Sequence, residues 1–142
     1  MQQMSDDRRR AFLLAGTRTG HLATTRADGS AHVAPIWFVL DGDDVLFTTG
    51  DETVKGRNLR RDPRAQLSVD QPEPPFAFVT VAGRVDLLDD THELFRWARR
   101  IAARYVGEDQ AEAFARRNAV PGELLVRLCP ERFVAFDDIA GW

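Results

Sequence analysis

The sequence predicts a mainly β domain of the α+β class, an antiparallel barrel with helical insertions. Three observations lead there: short β-forming runs recur along the chain, tight-turn signals separate many of them, and only a few stretches carry helical spacing. The 142 residues suit one domain, 1–142, and a 44% hydrophobic content is enough to fill a single core.

In chain order, Ser5 to Ala15 starts with a capping serine and acids and continues into Phe12, Leu13 and Leu14, which predicts a short amphipathic helix ending near Gly16. Strands follow at His21–Arg26, Ala31–Leu40 and Val45–Thr49, separated by turns at Asp28-Gly29 and Asp41-Gly42-Asp43. Thr53 to Arg61 has helical composition and is stopped by Asp62-Pro63, because the residue before proline is driven out of the α region. Strands at Arg64–Asp70 and Phe76–Leu88 flank a stiff proline-rich loop, with a bulge expected at Gly83. Asp90 to Glu93 resembles a capping box for a helix carrying Leu94, Phe95, Ala98, Ile101, Ala102 and Tyr105, and a second short helix is expected around Ala111 to Arg117. Glu123–Leu128 and Arg132–Phe136 close the chain as strands interrupted by Pro130.

Composition narrows the function. A net charge of −3 gives no bulk attraction for nucleic acid or an anionic membrane. Cys129 is the only cysteine, which excludes an internal disulfide or a multi-cysteine metal site and fits a reducing cytoplasm. A charged N-terminal stretch and the lack of a run of roughly 20 apolar residues predict neither secretion nor a membrane anchor. No dinucleotide fingerprint, phosphate-loop lysine, zinc-protease helix or serine-hydrolase elbow occurs. His21 and His32 lie on consecutive strands and could face each other, His92 reads as solvated, and Cys129 reads as a buried inert thiol.

Two segments carry chemistry. In Phe47 to Pro63, the hydroxyls of Thr48 and Thr49 end a strand, a glycine turn follows, and a helix opens with Lys55 in its first turn. A helix N-terminus, strand-end hydroxyls and a lysine can cradle a phosphate; a solvated basic helix is the other reading. Gly56 costs about 1 kcal/mol inside a helix, so it points to close approach of a ligand or a neighbouring strand. In Val33 to Leu40, Pro35 marks an edge or bulge, and the adjacent Trp37 and Phe38 must face opposite ways, leaving one free to cover a flat ring.

His21 to Trp37, then Phe47-Thr48-Thr49, then Lys55 to Arg64, resembles the pyridoxamine 5′-phosphate oxidase-like family, and within it the branch using the deazaflavin coenzyme F420. The similarity runs from about residue 11 to the last strand. It implies a six-stranded split β-barrel of the FMN-binding type with flanking helices, forming a homodimer with two cofactor sites between subunits. Thr48, Thr49, Lys55 and Asn58 match the positions that hold the cofactor phosphate, and Ala34, Pro35, Ile36 and Trp37 match the strand against the ring. The loop Gln71 to Phe76 would reach the partner's site. Trp37 and the proline-rich loop depart from the better-known members and leave the substrate pocket undefined.

The expected function is hydride transfer to or from a small organic substrate with bound coenzyme F420 or FMN; the cofactor does the chemistry, so no protein nucleophile is required. Coenzyme F420 is favoured because Arg57, Arg60, Arg61 and Arg64 could meet its acidic tail, although the same side chains could form surface ion pairs. The alternatives are a non-catalytic flavin- or haem-binding or storage module on the same barrel, a purely structural dimer, and a nucleic-acid binder, which lacks a stacking set beside the basic helix.

Overall fold

The structure is a computed structural model that describes residues 1–141. Its strands are β1 (Gln2–Gln3), β2 (Gly20–Thr25), β3 (Ala31–Ile36), β4 (Val39–Asp41), β5 (Asp44–Gly50), β6 (Arg64–Gln71), β7 (Ala77–Leu88) and β8 (Glu123–Asp137). The helices are α1 (Asp6–Leu14), α2 (Val54–Arg61), α3 (Thr91–Val106) and α4 (Glu108–Asn118). Every pairing is antiparallel, in the order β3-β2-β6-β7-β8-β5-β4, with β1 beside β8, and the sheet does not close on itself. The six long strands, β2, β3 and β5 to β8, are the split barrel expected; β1 and β4 are short additions. Among the described residues no helix is long and apolar enough to cross a membrane.

Two apolar layers hold the sheet. Phe12, Leu22, Phe38, Phe47, Leu67, Val79, Val81 and Leu128 fill the inside of the curved sheet with α1 and α2 at its rim, and Leu46, Leu94, Trp97, Ile101 and Leu125 join α3 to the opposite face of β5 and β8. Successive residues of a strand point to opposite faces, so Val45, Leu46 and Phe47 are all buried, serving the two layers in turn. The helix ends match their sequence signals. Ser5 and Thr53 cap α1 and α2 by accepting the amides of Arg8 and Gly56, and Asp90 accepts the Glu93 amide at 3.1 Å. The expected capping box is only half made, because the Glu93 carboxylate accepts from the Trp97 indole at 3.2 Å.

Two boundaries differ from the expectation. Ala31–Leu40 is two strands broken at Trp37-Phe38, because both backbone groups of Phe38 leave the ladder for α3: its amide donates to the Tyr105 hydroxyl at 3.3 Å and its carbonyl accepts from Arg104 at 2.7 Å. Pro130 does not end a strand. β8 runs unbroken because Gly83 pairs with Pro130 and Ala82 with Arg132, so Glu131 is the extra residue of a bulge and the proline owes no ladder bond. The expected bulge at Gly83 therefore lies on the facing strand. A Cβ at Gly83 would overlap the Cys129 carbonyl oxygen, so only glycine admits the bulged strand at this distance.

The N-terminal helix is fastened by ions. Arg8 grips Asp137 through two nitrogens at 2.8 and 2.9 Å, while Arg9 and Arg10 converge on Asp43 in the β4–β5 turn at 3.0 and 2.8 Å. Arg10 first, then Arg9, holds the Asp43 carboxyl below the usual carboxylate range.

Candidate functional site

A cleft of about 450 Å³ opens where the broken strand β3–β4, the end of β5, α2 and the α3–α4 pair meet. Pro35, Ile36 and Trp37 line it from the sheet, Thr48, Thr49, Gly50, Thr53 and Lys55 from the β5–α2 junction, and Ala98, Ile101, Phe114 and Asn118 from the helices. Thr19 and Glu123 complete the lining. One part is apolar and aromatic and the other polar with a cation, which suits a ligand with a flat ring and an anionic arm.

The break in the strand makes the aromatic wall. Phe38 is fully buried while Trp37 is 39% exposed, so the two neighbours do face opposite ways. Trp37 lies parallel to Tyr105, with centroids 5.0 Å apart and planes 5° from parallel, and Phe114 of α4 tilts against it at 5.8 Å. The Tyr105 hydroxyl also donates to the Arg18 carbonyl at 2.8 Å, and burial pushes its pKa up. Arg104 donates to the carbonyls of Leu13, Gly16 and Phe38 at 2.8, 3.1 and 2.7 Å. Its burial lowers its pKa from the ordinary arginine value, and among the described residues three carbonyl dipoles, not an acid, receive the charge.

The polar end is built by the α2 cap. The Thr53 hydroxyl donates to the Gly50 carbonyl at 2.7 Å and accepts the Gly56 amide at 3.1 Å. Its one proton is thereby used, so in the 2.9 Å contact between the Thr49 and Thr53 hydroxyls Thr49 is the donor. Thr48, Lys55 and Glu123 are left as the side chains of this end without a hydrogen bond or ion pair among the described residues. Gly56 is explained by the strand: a Cβ there would overlap the Gly50 carbonyl oxygen.

Of the residues singled out in the sequence, Pro35, Ile36, Trp37, Thr48, Thr49 and Lys55 come together in this cleft. Ala34, Asn58, Arg61 and Phe76 are not among its lining residues. Ala34 is half-buried on β3 opposite Leu22. Asn58 is buried under α2, donating to the Thr24 hydroxyl and accepting from Arg61, both at 3.0 Å, and so pins α2 to β2. Arg61 lies with Arg26 and Arg57 in a separate recess and donates to the Thr25 carbonyl. Phe76 follows the cis Pro74-Pro75 bond with a φ of 63°, its carbonyl accepting from the Ile139 amide.

The other expectations are revised in detail. His21 pairs with Pro35 and His32 with Thr24, three residues apart along β2, so the two histidines do not face each other. Among the described residues no group of three or more His, Cys, Asp or Glu side chains could hold a metal. Cys129 is half-buried, not buried; burial first, then Asp44 and Asp86, raises its thiol pKa, which keeps it a poor nucleophile. Sequence reasoning missed the helical wall and Glu123. Ala98, Ile101 and Tyr105 stand in the sequence only as members of a helix at helical spacing, and the signal that could place them is Trp37, which needs a covering surface.

A sequence profile described as pyridoxamine 5′-phosphate oxidase matches residues 5–135. Among solved structures, a conserved hypothetical protein of Mycobacterium tuberculosis is similar with 26% identity and a TM-score of 0.85, over 97% of this chain and 90% of that one. An F420 reductase is similar at 30% identity and a TM-score of 0.69, over 87% of this chain and 94% of its own. A heme binding protein of Mycobacterium smegmatis shares the fold at 21% identity and a TM-score of 0.64, over 99% of this chain and 61% of that one.

Arg104→Met keeps most of the side-chain bulk and removes the donors to three carbonyls. It is expected to lower the urea unfolding free energy by about 2–3 kcal/mol and to shift tryptophan emission as Trp37 loosens from Tyr105. An unfolding midpoint equal to the parent's would show that the break in the strand does not depend on this grip.

Proposed function

Because the chain belongs to the pyridoxamine 5′-phosphate oxidase family, we propose that it is an oxidoreductase whose cleft binds a flavin-type cofactor, coenzyme F420 in preference to FMN, for hydride exchange with a small organic substrate. The observation that carries this reading is one cleft that pairs an aromatic wall at Trp37 with the chain's single lysine at the mouth of a capped helix. The donor set fits the group. Trp37, Pro35 and Ile36 would lie along the ring, Lys55 and Thr48 would meet the phosphate, and Phe114 with the α3 side chains would keep water from the ring.

The bound cofactor supplies the hydride chemistry. The chain's own part is to bind, orient and desolvate, and the proposal assigns no side chain as proton donor. The preference for coenzyme F420 draws on the similarity to an F420 reductase. The arginine run supports it less than expected, since Arg57, Arg60 and Arg64 pair with Glu52, Asp51 and Asp62 at 3.2, 3.7 and 2.7 Å. Arg61 and Arg26, which share a recess beside α2, make no ion pair among the described residues and are the better candidates to meet an acidic tail. The haem alternative gains nothing from the cleft, whose lining holds no histidine, cysteine or methionine. A cytoplasmic setting belongs to the same reading.

Lys55→Ala is expected to weaken binding of the phosphate-bearing cofactor about ten- to a hundred-fold, since a charge-assisted hydrogen bond contributes about 1.5–3 kcal/mol. The fold should survive. Equilibrium dialysis against coenzyme F420 and FMN in parallel measures this, and binding within about twofold of the parent would move the phosphate elsewhere.

The proposal includes a homodimer. The edge strand β3 exposes Val33 at 61%, and Val134 and Phe76, each 37% exposed, add apolar surface elsewhere on the molecule. Burying such surface against a second copy would bring the Gln71 to Phe76 loop toward the partner's cleft. Light scattering should return twice the 16.0 kDa chain mass; a value of one chain mass at micromolar concentration would remove the intersubunit site.

A further inference from the structure

Lys55 shares its end of the cleft with an acid. Glu123 opens β8 directly opposite Gly50 in the ladder, and its Oε2 stands 3.7 Å from where a Cβ on Gly50 would be. Burial pushes the Glu123 carboxyl above the ordinary range, Lys55 works against this, and Asp51 adds to it. Asp51 has its own counter-ion, Arg60, at 3.7 Å. Glu123 makes no ion pair within 4.0 Å among the described residues. Among the described residues the remaining elements contribute hydroxyls from β5 and uncharged side chains from α3 and α4, so Lys55 and Asp51 are the charged groups that face it.

A phosphate brought to Lys55 therefore enters an end of the cleft that already holds a second anion within the electrostatic reach of the same ammonium. Two ionised groups competing for one cation in a partly desolvated cleft repel, and the repulsion is relieved when one of them carries a proton. We propose that Glu123 and the cofactor's phosphate share one proton, so that a phosphate-bearing ligand binds with uptake of a proton and its affinity falls as pH rises. The inference rests on the reading of Lys55 as the phosphate-binding end. With a phosphate monoester such as FMN, the proton lies between the ester and the Glu123 carboxylate and can formally belong to either. With the phosphodiester of coenzyme F420 no P–OH remains, and Glu123 itself carries the proton and donates to a phosphate oxygen.

The test is isothermal titration of the intact protein with coenzyme F420 and with FMN between pH 6 and pH 9, in buffers of different ionisation enthalpy, with riboflavin as the phosphate-free probe. The expected result for both phosphate-bearing ligands is uptake of up to one proton and a Kd that rises with pH, by at most about tenfold per unit, between the pKa of the shared site in the free components and its pKa in the complex. Glu123→Gln should bind coenzyme F420 with no such slope, and more tightly than the parent at the alkaline end. Riboflavin should show no slope with either protein. The proposal is overturned if both ligands bind the parent without proton uptake, if Glu123→Gln keeps the parent's slope for coenzyme F420, or if riboflavin shows the same slope. Should neither phosphate-bearing ligand bind at all, the assignment of Lys55 fails first and this inference falls with it.

Discussion

The hold of α3 on the backbone of Phe38 is the interaction on which the rest of the site depends. A strand continuing from Ala31 through Leu40 would satisfy its own ladder and give α3 no polar purchase on the sheet. Instead the Phe38 amide and carbonyl are taken by Tyr105 and Arg104, and the same arginine collects the carbonyls of Leu13 and Gly16. One residue of α3 thus joins the end of α1, the loop before β2 and the broken strand. Phe38 drops into the barrel interior, and Trp37 turns to the cleft and stacks on Tyr105. Trp37, backed by Tyr105 and flanked by Phe114, forms the wall of a ligand-sized space.

The polar end follows a second economy. The Thr53 hydroxyl caps α2, bonds the end of β5 and takes up Thr49, which fixes the helix mouth relative to the strand. The absence of a Cβ at Gly56 lets the first turn of α2 lie on the Gly50 carbonyl. Much of what resembles a phosphate cradle in the sequence is therefore spent on holding the cradle together. Thr48, Lys55 and Glu123 are the groups left to deal with a ligand, and their mixed charge makes protonation part of binding.

The architecture was legible because its signals are local. Turn residues separate the strands, Ser5, Thr53 and Asp90 cap helices as their types require, and Pro35 does lie on an edge strand. Pro130 was misread as an end because sequence does not show that a facing glycine and one extra residue can carry a proline through a ladder. The cleft was legible from its strand side, where Pro35 to Trp37, Thr48, Thr49 and Lys55 are close in sequence to turns that place them. Its helical side was not, because Phe114, Asn118 and Glu123 are brought there by packing between elements far apart in the chain, and a helical stripe of Ala98, Ile101 and Tyr105 reads as core whether it covers a sheet or a ligand. Asn58 shows the converse, a side chain whose place in a motif suggested a ligand and whose bonds to Thr24 and Arg61 serve the fold.

The central claim is that α3, by breaking one strand, sets Trp37 and Lys55 at two ends of a single binding cleft. A crystal structure of the protein soaked with coenzyme F420 tests it most directly. The account predicts the ring along the cleft face of Trp37 and the phosphate within hydrogen-bond distance of Lys55 Nζ. A phosphate held by Arg26, Arg57 and Arg61 beyond α2, with the ring away from Trp37, would contradict it.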